Sequence, residues 1–219
     1  MKTPASIVVL ISGSGSNLQA LIDAEQKDEL SGKITAVISN KPDAFGLERA
    51  RKAGIETQVI DHRNFDDRES YDEALAEAID QYQPDLVVLA GFMRILTADF
   101  VNHYSGRMLN IHPSLLPKYR GLNTHQRAID DGETHHGVSV HFVTPELDGG
   151  PIIVQSSVEL HENDDKEILA ERVQTQEHLI YPLAVKWFCQ NRISLINNHF
   201  YFDNELRDKP FIFQNNTIS

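Results

Sequence analysis

The stretch Ser6-Ile7-Val8-Val9-Leu10-Ile11-Ser12-Gly13-Ser14-Gly15-Ser16-Asn17 reads as a buried strand, a glycine turn and the first turn of a helix. Its unbroken run of β-branched residues and Leu suits a strand covered on both faces. Working outward, similar apolar runs recur at Ile34 to Ser39 and Asp85 to Ala90, with a shorter one at Thr57 to Ile60. Helical patterns around Ala44 to Ala53 and Ser70 to Tyr82 lie between them. Strands alternating with helices imply right-handed crossovers and an open sheet with helices on both faces. After a further strand over Arg107 to Ile111 the pattern changes. Gly137 to Val143 and Pro151 to Leu160 are strand-like runs with only a short Asp-Gly-Gly turn expected between them, which predicts an antiparallel pair. The expected fold class is therefore α/β, a Rossmann-like open, mostly parallel sheet with an antiparallel C-terminal portion.

Asn163 or Asp164 is expected to cap a long helix, with Glu167 as capping-box partner and apolar positions at Val173, Ile180, Leu183 and Trp187. Pro182 is expected to kink or divide it. Beyond Arg192 the alternation around Asn197-Asn198 predicts a small hairpin, followed by a polar end expected to fray. Residues 1–219 are read as one domain, with a phosphate-binding half at 1–106, a catalytic half at 107–192 and a hairpin and tail at 193–219.

The 219 residues, 41% hydrophobic and 24% charged, fall in the ordinary globular range and disfavour disordered, collagen-like and membrane-spanning classes. The apolar run Ile7 to Ile11 is too short for a signal or membrane segment. Cys189 is the one cysteine, so neither an intramolecular disulfide nor a multi-cysteine zinc site can form, which fits a cytoplasmic protein. A formal charge of -12 repels a nucleic-acid backbone, and the sequence carries no basic patch to offset it. A small anion is still acceptable, because backbone N–H groups at a helix start hold phosphate inside an acidic protein.

Gly13-Ser14-Gly15-Ser16-Asn17 lies where a first strand delivers a ligand to a helix N-terminus. No Gly-Lys-Ser/Thr follows, and Leu18 replaces the third glycine of a dinucleotide fingerprint. Ser39-Asn40-Lys41, after the second strand, lacks the acidic residue that NAD binders use on ribose. A phosphate monoester remains, or else a tight turn whose Ser or Asn merely caps the helix. Asn110 and His112 are two apart at a strand end and so share a face, with Pro113 keeping His112 extended. A carboxamide N–H beside an imidazolium can donate to an oxygen gaining charge, the demand of acyl-type transfer. Ser114 lacks a nucleophile elbow. The glycines of Asp148-Gly149-Gly150-Pro151 would let a ligand or backbone approach the carboxylate. His125, His135, His136 and His141 have no metal-site spacing, and the adjacent pair is read as solvated on a turn. Gly91 to Leu96, after the Asp85 to Ala90 strand, could line a pocket for a flat aromatic ligand, or Phe92, Ile95 and Leu96 could be plain core.

Together these segments resemble the folate-dependent glycinamide ribonucleotide formyltransferase family of purine synthesis. The resemblance runs from Ile7 to about Trp187 and rests on Ile11 to Ala20, Ala90 to Leu96, Asn-Ile-His-Pro-Ser-Leu-Leu-Pro at Asn110 to Pro117, Ser139 to Val143 and Leu147 to Pro151. It implies the formyltransferase fold, catalytic roles for Asn110, His112 and Asp148, and phosphoribosylglycinamide binding by Gly15, Ser16, Asn17 and Glu177. It also implies folate binding at Arg68, Met93, Arg94, Ile95, Leu96, Asn110, Thr144 and Asp148. The implied co-substrate is 10-formyltetrahydrofolate, without a metal, and the implied partners are small molecules rather than nucleic acid or membrane, in a monomer or homodimer. Arg120 and Asn123 stand where the family pattern has Pro and His. The rivals are a formyl-folate deformylase, a methionyl-tRNA formyltransferase and a non-catalytic nucleotide-binding module. The extra domains of the first two are not expected in a chain of this length.

Overall fold

In the computed structural model, which describes residues 3–219, the opening stretch forms β1 (Ala5–Ile11) and α1 (Ser16–Gln26). The chain continues through β2 (Gly32–Ser39), α2 (Phe45–Lys52), β3 (Glu56–Val59), α3 (Arg68–Asp80), β4 (Leu86–Leu89), α4 (Ala98–His103) and β5 (Met108–His112). Then follow α5 (Thr124–Asp130), β6 (His135–Phe142), β7 (Ile152–Glu159), α6 (Lys166–Cys189), β8 (Ile193–Ile196), β9 (His199–Phe202), β10 (Glu205–Leu206), β11 (Phe211–Gln214) and β12 (Thr217–Ile218).

One sheet runs β12-β11-β7-β6-β5-β4-β1-β2-β3. β1 to β5 are parallel, whereas β6 lies antiparallel to β5 and β7 antiparallel to β6. The expected α/β class and its antiparallel addition are both present. Ile7, Val9 and Ile11 of β1 enter the core shared with α1, α2 and α6. Val8 and Leu10 enter the core under α3 and α4. The strand is buried on both faces for that reason, and it alternates between two cores rather than between core and water. From β1 the chain moves outward to β2 and β3, then returns to β4 on the other side. This reversal opens a crevice at the C-terminal ends of β1 and β4, the usual ligand position in such sheets.

Four local expectations change. Asp165, not Asn163 or Asp164, caps α6 by accepting from the Ile168 N–H. Asp164 is engaged elsewhere, accepting from the His161 N–H and from Arg172. With the cap one residue later, Glu167 no longer occupies the capping-box position. Pro182 lies within α6 and does not divide it, because buried Ile180, Tyr181, Ala184 and Val185 hold the helix on both sides of the missing bond. β6 and β7 are joined by the whole segment Val143 to Pro151 rather than a tight turn. Within it Asp148 has φ 48, and a Cβ on Gly150 would overlap the Phe142 carbonyl oxygen. Finally, the chain end is paired rather than an unstructured polar segment: after the predicted hairpin, β11 joins the main sheet parallel to β7 and β12 pairs with β11.

Candidate active site

Antiparallel pairing of β5 with β6 sets Asn110 opposite His141 and His112 opposite Ser139. Asn110 Nδ2 lies 3.1 Å from His141 Nε2. His141 Nδ1 lies 2.8 Å from the Phe142 carbonyl oxygen, so Nδ1 carries the hydrogen and Nε2 accepts from the Asn110 amide. Burial pushes His141 down to about 4, against the opposing pull of that carbonyl and of Asp148. Its ring is neutral near pH 7 and fixes which way the Asn110 amide points. The second amide N–H of Asn110 has no acceptor among the described residues.

His112 Nδ1 faces Asp148 Oδ2 at 3.4 Å, with the two side chains only 7% and 8% exposed. Its Nε2 donates to the Tyr119 carbonyl at 2.9 Å. A carboxylate beside one nitrogen and a carbonyl on the other fix the orientation of the ring. Asp148 Oδ2 also accepts from the Gly121 N–H at 2.9 Å, and its Oδ1 stands 3.7 Å from His141 Nε2. The loop after β5 therefore touches the cluster through Tyr119 and Gly121. Arg120 in that loop pairs with Glu146, and Asn123, at φ 58, is the N-cap position of α5.

The glycine turn builds a second region beside the first. Gly15 is the N-cap of α1 at φ 70, and no side chain caps the helix. A Cβ on Gly15 would come within 2.6 Å of Gly46 Cα, so glycine is needed for both conformation and contact. The capping alternative for this turn thus fails, and the first N–H groups of α1 remain available to an anion. Asn17 Nδ2 donates to Glu177 Oε2 at 2.7 Å, and Gln174 Nε2 donates to Ser16 Oγ at 3.1 Å. Helix α6 therefore closes this side of the crevice. Burial raises the Glu177 carboxyl above its ordinary value, with the Asn17 bond opposing.

Gly91 to Leu96 leaves the end of β4. Phe92 is core, but Met93 and Ile95 are 68% and 58% exposed, so core packing does not account for the segment. Arg94 lies over the Tyr71 ring, 4.5 Å from its centroid. Thr144 borders Gly150 in the Asp148 segment. Arg68 is exposed at the start of α3; it and Arg94 both act on the Asp72 carboxyl, whose burial outweighs them and raises it.

His141 is the site residue that sequence reasoning missed, having weighed it only as a metal ligand. His136 is not solvated on a turn: it is buried in β6 and faces His125 at 3.2 Å, and burial lowers it to about 4. Ser114 is fully buried and donates to the Lys118 carbonyl, which leaves it no role as a nucleophile.

Residues 5–185 match the family described as formyl transferase. The chain is 57% identical over 200 residues to phosphoribosylglycinamide formyltransferase of Escherichia coli, covering 91% of this chain and 94% of the relative. The Haemophilus influenzae protein of the same name is 47% identical over 203 residues, covering 93% and 96%. A solved phosphoribosylglycinamide formyltransferase from Coxiella burnetii superposes with a TM-score of 0.89 at 54% identity, covering 93% of this chain and 95% of that one.

Proposed function

The chain belongs to the formyl transferase family, and from that premise we propose that it transfers the formyl group of 10-formyltetrahydrofolate to the amine of 5'-phosphoribosylglycinamide, in de novo purine synthesis. The observation that carries this reading is the buried His112–Asp148 pair, set beside an Asn110 amide with one N–H unspent. Gly15, Ser16 and Asn17 hold the acceptor phosphate at the start of α1, and Glu177 takes its ribose hydroxyls. Arg68, the Met93 to Leu96 segment and Thr144 receive the folate, with the exposed apolar side chains of Met93 and Ile95 against its ring system.

The amine attacks the formyl carbon, the carbon–N10 bond breaks, and one proton passes from the amine to N10. The Asn110 N–H and the His112 Nε2–H donate to the formyl oxygen as it gains charge. For that, His112 exchanges the Tyr119 carbonyl for the substrate oxygen. Asp148 supports the charged imidazole and relays the proton. Holding both small molecules in one crevice supplies a further part of the rate. This chemistry needs no metal, nucleic acid or membrane, and among the described residues no helix is long and apolar enough to cross a membrane. We place the reaction in the cytoplasm.

A spectrophotometric assay of 10-formyltetrahydrofolate consumption tests the reading, with phosphoribosylglycinamide, water or initiator methionyl-tRNA as acceptor. Turnover with phosphoribosylglycinamide alone supports it. Turnover with water or tRNA alone, or binding without turnover, overturns it.

A further inference from the structure

Ser12, the last residue before the glycine turn, is 4% exposed, and its partner Asn40, at the end of β2, is 2% exposed. The Ser12 hydroxyl donates to Asn40 Oδ1 at 2.6 Å and accepts from the Met93 N–H at 2.8 Å. Asn40 is itself fixed, its backbone carbonyl lying 2.8 Å from His62 Nδ1. A single buried hydroxyl thus joins the C-terminal ends of β1 and β2 to the segment that follows β4.

The two sides of this junction are held unequally. The glycine turn has anchors of its own on α2, since the Gly13 carbonyl accepts from the Gly46 N–H at 3.0 Å and the Ser14 carbonyl from Arg49 Nε at 2.9 Å. Gly91 to Leu96 is fastened at its flanks, through the Ala90 N–H to the Leu10 carbonyl and the Thr97 N–H to Asp72. Between those flanks, among the described residues, the Met93 bond to Ser12 is the hydrogen bond that ties the segment down.

We propose that Ser12 is a positioning residue that holds the formyl-donor segment Gly91 to Leu96 in register with the phosphate-binding turn. The proposal rests on the assignment of those two segments to folate and to the ribonucleotide. Ser12 touches neither substrate. It sets the distance between the two loops that do, and so the alignment of formyl carbon and amine. Loss of the hydroxyl removes the acceptor of the Met93 N–H and releases the donor segment, while α2 keeps the phosphate turn in place.

The test is steady-state kinetics of the full chain with Ser12→Ala and Asn40→Ala. Ser12→Ala should raise KM for 10-formyltetrahydrofolate about tenfold, the effect of one lost hydrogen bond, and leave KM for phosphoribosylglycinamide within about twofold of wild type. Asn40→Ala, which leaves Ser12 able to accept from Met93, should move the same parameter in the same direction by about threefold, and it decides the matter if Ser12→Ala does not fold. The double variant should be no worse than Ser12→Ala. Equal shifts in both KM values, or none, overturn the role of Ser12. A wild-type chain that does not turn over these substrates overturns the underlying assignment instead.

Discussion

Asp148→Asn keeps the shape of the side chain and removes its charge. The carboxamide oxygen can still accept from the Gly121 N–H, now 2.9 Å from Oδ2, so the loop over the cluster keeps its anchor. What is lost is the attraction between the carboxylate and an imidazolium whose Nδ1 is 3.4 Å away. At an effective dielectric of ~20, unit charges at that separation attract by about 5 kcal/mol, and the low exposure of both side chains limits solvent screening. The amide dipole replaces part of this. With about 1.4 kcal/mol to each factor of ten, a fall in kcat of roughly a thousandfold follows, with both KM values within about threefold of wild type. Steady-state assays at fixed pH measure it, and a thermal melt confirms that the variant is folded. A folded Asp148→Asn enzyme with kcat within tenfold of wild type would refute the idea that this charge supports His112.

Glu177→Gln removes a carboxylate that burial disfavours while retaining an acceptor for Asn17. Because its folded pKa lies above the ordinary 4.5, the native state binds the proton more tightly than the unfolded chain. The charge therefore costs stability as pH rises through that range, and the cost disappears below the unfolded value. The variant should melt above wild type at neutral pH and level with it in acid, while KM for phosphoribosylglycinamide rises about tenfold; a lower melting temperature at neutral pH would count against the burial argument. Tyr181→Phe removes a buried hydroxyl that donates to the Leu89 carbonyl at 2.7 Å and lies 3.2 Å from that of Leu109. It should cost about 1–2 kcal/mol in denaturant unfolding, and an unchanged midpoint would show that these carbonyls find other partners.

The parallel half of the fold was legible because local signals agree with its architecture. Ile7 to Ile11 is apolar on both faces, and it is buried on both faces. Asn110 and His112 were legible as a pair because a strand has a period of two residues. His141 was not, since its meaning lies in the register that sets it opposite Asn110, a long-range fact that no local pattern carries. The α6 cap moved to Asp165 because Arg172, two helical turns further along, draws Asp164 away. Likewise, the tail beyond Arg192 alternates as a hairpin does, yet nothing local reveals that Phe211 to Gln214 will pair with β7. Ser12 and Asn40 were read as the ends of two strands, and only the bonds of the Ser12 hydroxyl to Asn40 and to the Met93 N–H show that it joins them to the Gly91 to Leu96 segment.

The most direct measurement is single-turnover formyl transfer with enzyme in excess, following a labelled formyl group from 10-formyltetrahydrofolate to phosphoribosylglycinamide in wild type, Asn110→Ala and His112→Ala. The account predicts that label reaches the glycinamide amine in wild type, and that each folded variant transfers it roughly a hundredfold to a thousandfold more slowly, the usual cost of losing one donor to a developing oxyanion. Transfer at the wild-type rate by either variant, or label that never reaches the amine in wild type, contradicts it.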